Sequence, residues 1–89
     1  MKSRTTSAFR RAFAALPSDV RGQARKAYAQ FRFNPQHPGL RFKAVHAMRP
    51  IYSVRVGLHY RALGVATGDE LVWFWVGSHD EYERLLAEK

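Results

Sequence analysis

Four side chains of this 89-residue chain are of the types that metal-free phosphodiester chemistry requires. Arg55 and Arg61 are separated by a short turn, Gly57-Leu58-His59. On paired strands their guanidinium groups can lie close together and clamp a phosphate bidentately. His79 follows the apolar run Leu71–Val76 and is by type a side chain that exchanges a proton near neutral pH. Tyr82, three residues further on, shares one helical face with it and offers an apolar ring with a polar hydroxyl. RNA cleavage without a metal asks for this set: a base for the 2′-hydroxyl, fixed cations for the phosphate, and an acid for the departing 5′-oxygen. Lys43 on the preceding strand adds a third charge, and Arg41 and Ser53 are candidate RNA contacts beside it. Each also has a plainer structural role, as exposed strand arginines, a helix-start histidine, a core tyrosine and a solvated lysine.

Other chemistry is poorly served. His37, His46, His59 and His79 are never spaced three to five residues apart and there is no cysteine, so no metal site, thiol nucleophile or disulfide is expected. His46 and His59 read as loop histidines. The glycines fall in strand and turn contexts, not in a phosphate-binding loop. Ser78 precedes His79 in a helix-capping pattern and reads as a cap, not as a nucleophile. The apolar run Leu71–Gly77 is far shorter than the roughly 20 residues of a membrane helix, and Met1–Arg11 has no apolar signal core. No membrane partner and no small-molecule cofactor are therefore expected, and a cytoplasmic location is.

Charge is unevenly distributed. The net charge is +8, but residues 1–68 hold 13 basic side chains and one acid, Asp19, for +12, while residues 69–89 carry −4. So basic a body implies a polyanionic partner, most often nucleic acid. A composition 46% hydrophobic and 13% aromatic can build a core, which excludes disorder.

The elements that must position these groups are legible in the periodicity. Ser7–Leu16 carries Phe9, Phe13 and Leu16 at helical spacing. Pro17 interrupts, Ser18 is a cap candidate, and a second helix over Asp19–Phe33 presents Val20, Ala24, Ala27, Tyr28 and Phe31 on one side. Arg21, Arg25 and Arg32 form its solvated side, and Asn34-Pro35 stops it. The short break suggests a helical hairpin. The period then changes to two. Arg41–Val45 is a candidate strand, Tyr52–Val56 alternates with Ser53 and Arg55 on one face, and Tyr60–Thr67 pairs back. Leu71–Val76, apolar on both faces, should be a central strand ending at Gly77. Ser78-His79-Asp80-Glu81 matches a capping box, starting a last helix near His79 with Tyr82, Leu85 and Leu86 as its apolar face. The expected fold is α+β: a single domain over residues 1–89, with an N-terminal helical hairpin packed on a curved antiparallel sheet and a short C-terminal helix.

The segments Tyr52–Leu63 and Leu71–Tyr82, above all Arg55, Tyr60-Arg61, Gly77, His79 and Tyr82, resemble the RelE/ParE toxin superfamily. The Leu16-Pro17 break, Ala24–Tyr28 and Asn34–Lys43 are similar to a RelE/HigB-like subgroup. The resemblance implies the toxin of a type II toxin–antitoxin pair, with a cognate antitoxin protein as partner. It also implies a metal-independent, ribosome-dependent endoribonuclease acting on mRNA and leaving a cyclic phosphate. By position, Arg55 and Arg61 would stabilise the scissile phosphate, His79 would transfer the proton, Tyr82 would stack on or orient the base, and Lys43 would assist with backbone charge. RelE itself carries lysine and arginine where this chain has Ser53 and His79, and the N-terminal strand usual in the family is reduced here to Met1–Thr6. Other branches of the fold inhibit DNA gyrase without cutting RNA. That alternative, and a plain RNA-binding module, stand beside the nuclease.

Overall fold

The computed structural model describes residues 2–87. The elements run β1 (Lys2–Thr5), α1 (Ser7–Ala14), α2 (Ser18–Phe33), a 3-10 turn (Pro38–Leu40), β2 (Lys43–Ala44), β3 (Ile51–Val56), β4 (Tyr60–Thr67), β5 (Glu70–Ser78) and α3 (His79–Ala87). One sheet holds all five strands in the order β1-β5-β4-β3-β2. Strands β2 to β5 form the expected antiparallel meander. The N-terminal segment enters as β1, parallel to β5, so the sheet is mixed, not purely antiparallel. Trp73 Nε1 donates to Ser3 Oγ at 2.8 Å and fastens this added strand. No described helix is long and apolar enough to cross a membrane.

Local chemistry sets the boundaries. Thr6 caps α1, its side chain accepting the Phe9 N–H at 3.0 Å. Helix α2 starts one residue earlier than expected: Pro17 occupies its cap position and Ser18 is already helical, without a side-chain cap. Asn34 is extended, as a residue before proline must be. The strand expected over Arg41–Val45 is reduced to Lys43–Ala44, because Arg41 ends the 3-10 turn in the left-handed region, at φ 49°.

The two N-terminal helices cover one face of the sheet but are splayed. Helix α1 packs chiefly on β5 and α2 on β3. Between them runs a groove of about 650 Å³, floored by Val54, Ala62 and Val76 and walled by Phe9, Phe13 and Tyr28. The rest of this face closes as an aromatic row. Trp73 meets Phe31 edge-on at 5.5 Å, Phe31 meets Phe42 at 5.1 Å, and Phe42 stacks on Tyr52 at 5.0 Å.

A β-bulge divides β5 between the two faces. Leu63 pairs with Trp75 and Gly64 with Trp73, so Phe74 is the extra residue. Strict alternation would put Trp73 and Trp75 on one face; the inserted residue sends them to opposite ones. Trp73 joins the helix-side core, and Trp75 lies over Gly77 on the other face.

Candidate functional site

The second face of the sheet carries the arginines. The three-residue turn Gly57–His59, with Gly57 at φ 63°, closes β3 onto β4 so that Arg55 is directly opposite Arg61. Gly77 is opposite Arg61 on β5, completing a row of one face. Glycine is required there: a Cβ would sit 2.6 Å from the Trp75 ring and 2.9 Å from Glu81 Oε1. Arg55 Nε donates to the Gly57 carbonyl at 3.0 Å, which fixes its stem and leaves the terminal amino groups unengaged by that bond. Arg61 Nη1 donates to the Tyr60 carbonyl at 2.8 Å. Burial pulls the Arg61 pKa below its ordinary value. The neighbouring charges of Arg55 and, less strongly, Arg41 act the same way, against opposing contributions from Tyr82 and Glu83. Arg61 nonetheless stays cationic at any working pH. A partly desolvated cation facing two like charges is a place where an anion is favoured.

Helix α3 begins where β5 ends. The capping box forms as expected, with the Ser78 N–H donating to Glu81 Oε1 at 3.1 Å and the Glu81 N–H to Ser78 Oγ at 3.2 Å. The His79 N–H donates to the His59 carbonyl at 2.7 Å, tying the start of the helix to the β3–β4 turn. His79 Nε2 lies 3.4 Å from Glu83 Oε2, while its Nδ1 is buried without a hydrogen-bond partner. An open cleft of about 360 Å³ lies between Leu58, His59, Tyr60 and Arg61 on one side and Ser78, His79 and Asp80 on the other.

Arg61 and His79 thus meet in one cleft, with Arg55 across from Arg61 on the neighbouring strand. Lys43 is exposed on the edge strand opposite Ser53, and Arg41 contributes its charge from the preceding turn. Two expectations are corrected. Ser53, read as an RNA contact, is only 2% exposed. Tyr82, read as a base-stacking residue, is 4% exposed, and its hydroxyl donates to Ser53 Oγ at 3.2 Å. The apolar side of a short helix has to be buried, so Tyr82 anchors α3 through Ser53 and presents no face to a base. One lining residue was missed. His59 lies in a turn, as expected of a loop histidine, but its carbonyl accepts the His79 N–H and the turn lines the cleft. Among the described residues, no three His, Cys, Asp or Glu side chains gather as a metal-binding set.

The sheet thus carries two helices on one face and Arg55 and Arg61 on the other. The ParE-like toxin domain model matches residues 18–84, and the chain belongs to that family. By fold it is similar to RelE in the RelB–RelE antitoxin–toxin complex of Methanococcus jannaschii, at 17% identity and TM-score 0.68, over 91% of this chain and 95% of that one. It is similar to YafQ of E. coli at 9% identity and TM-score 0.70, over 91% and 96%. It is also similar to the isolated E. coli RelE toxin at 15% identity and TM-score 0.65, over 98% and 96%. No curated protein matches by sequence.

Proposed function

We propose that this chain is the toxin of a type II toxin–antitoxin pair and a metal-independent endoribonuclease that cuts mRNA on the ribosome. The observation that carries this is the placement of Arg61 and His79 in one cleft, with Arg55 directly across from Arg61. The arginines hold the scissile phosphate and stabilise the charge that builds on it as the 2′-oxygen attacks. His79 exchanges a proton with the reacting oxygens. Lys43 and Arg41 extend the positive surface along the RNA backbone. A gyrase-inhibiting role draws its support from the ParE-like family description. It gives no use to an imidazole beside the arginines. The test is induction in cells with mapping of mRNA ends. New 5′-hydroxyl ends are expected with the wild type and not with Arg61→Ala; DNA-damage signalling without new ends points to gyrase.

The partner is an antitoxin, as in the complexes of fold relatives such as RelB–RelE of E. coli. The groove between α1 and α2 is apolar at its floor, and Arg10 and Arg25 stand at its edges. The two helices together carry six basic residues and one acid, Asp19. An acidic amphipathic segment fits that combination.

A further inference from the structure

Of the groups lining the cleft, His59 has no part in the mechanism so far, and its position is fixed by the register. His59 is the last residue of the β3–β4 turn, and it lines the same cleft as Arg61 and His79. Tyr60 pairs with Ser78, and the 2.7 Å bond from the His79 N–H to the His59 carbonyl continues the ladder by one step. The bond ties the last residue of the turn to the first of α3, so His59 and His79 adjoin at the cleft, with Arg61 two residues further into β4. The two imidazoles differ in their engagements. His79 Nε2 faces the Glu83 carboxylate at 3.4 Å. His59 is exposed, and neither of its ring nitrogens takes part in a hydrogen bond or ion pair among the described residues.

We propose that His59 is a second catalytic residue of this site: it is the general base, and His79 the general acid, for cleavage of an RNA phosphodiester held by Arg61. This rests on the nuclease reading above. His59 takes the proton of the 2′-hydroxyl, and the 2′-oxygen forms a bond to phosphorus. The bond from phosphorus to the 5′-oxygen breaks, and His79 delivers a proton to that oxygen. The products are a 2′,3′-cyclic phosphate and a 5′-hydroxyl, and no further reactant enters. The titratable and charged groups that line the cleft with His59 are Tyr60 and Arg61 on β4 and His79 and Asp80 on α3, with Arg55 paired to Arg61 and Glu83 to His79.

The experiment is single-turnover cleavage in a purified translation system, with the full chain and an mRNA whose cut position has been mapped with the wild type. A second mRNA carries sulfur in place of the 5′-bridging oxygen at that position; its thiolate leaves without an acid. His59→Ala is expected to slow both substrates by about 100-fold or more, as removal of a general base does. His79→Ala is expected to be slow on the oxygen substrate and restored towards the wild-type rate by sulfur. His59→Gln, which keeps the size of the turn residue, should match His59→Ala, with unchanged melting temperatures for both. The proposal is overturned if His59→Ala cleaves at the wild-type rate, or if sulfur restores it. If the wild type gives no cut position to map on any translated mRNA, the nuclease reading is overturned and this one with it.

Discussion

Arg55 and Arg61 face each other directly across the β3–β4 pair, two like charges on one cross-strand rung. Such a pair costs about 0.2–1 kcal/mol, less at high ionic strength because both side chains are partly exposed. Arg55→Gln is therefore expected to leave stability unchanged or raise it, by up to about 1 kcal/mol at low salt. Cleavage should fall by about 100-fold, the usual loss when one donor to a developing oxyanion is removed. Urea unfolding at two ionic strengths, beside the cleavage assay, checks both halves. A variant that is destabilised as well as inactive would mean the arginines hold the fold together.

Tyr82 and Ser53 form the hydroxyl pair beneath α3 at 3.2 Å. Tyr82→Phe and Ser53→Ala should each cost about 1 kcal/mol, and the double variant little more than either, because one bond is lost in all three. Chemical denaturation of the four proteins closes the cycle. Cleavage by Tyr82→Phe should stay near the wild-type rate; a large loss would restore the tyrosine to the chemistry.

How far these relationships could be read from the chain differs from element to element. The strand pairing that opposes Arg55 and Arg61 was legible, because alternation and a short glycine turn determine a hairpin's register. So was the capping box at Ser78–Glu81. The burial of Ser53 was not, since alternation gives a face but not what covers it, and α3 covers this one. Nor was the bulge at Phe74, because an apolar run gives no sign of where one residue is extra. His59 could have been found: pairing Tyr60 with Ser78 puts the histidines side by side, but that register emerges only once β5 is known to reach Ser78. The parallel β1 rests on pairing between chain segments far apart in sequence, which local patterns do not encode.

Gly77→Ala is expected to destabilise by about 1–3 kcal/mol, as overpacking does. The new methyl would meet the Trp75 ring at 2.6 Å and Glu81 Oε1 at 2.9 Å, disturbing the aromatic cover and the helix cap together. Thermal melts with tryptophan fluorescence would show both a lower midpoint and an altered Trp75 signal; an unchanged midpoint would mean the ring moves aside freely.

The groove between α1 and α2 offers a test of the partner's chemistry. Replacing Arg10 and Arg25 by glutamate should weaken binding of the cognate antitoxin by at least about tenfold and flatten its salt dependence, because rim charges steer and orient an acidic partner. Calorimetric titration at several salt concentrations measures this. Binding that is indifferent to both charges would place the partner elsewhere.

The central claim is that the cleft of Arg61 and His79 cuts mRNA. It is tested most directly by inducing the wild type, Arg61→Ala and His79→Ala in growing cells and sequencing RNA 5′-hydroxyl ends. Abundant new ends within translated messages are predicted for the wild type alone, accompanied by arrested protein synthesis. Arrest without new ends, or ends produced equally by all three proteins, would contradict the account.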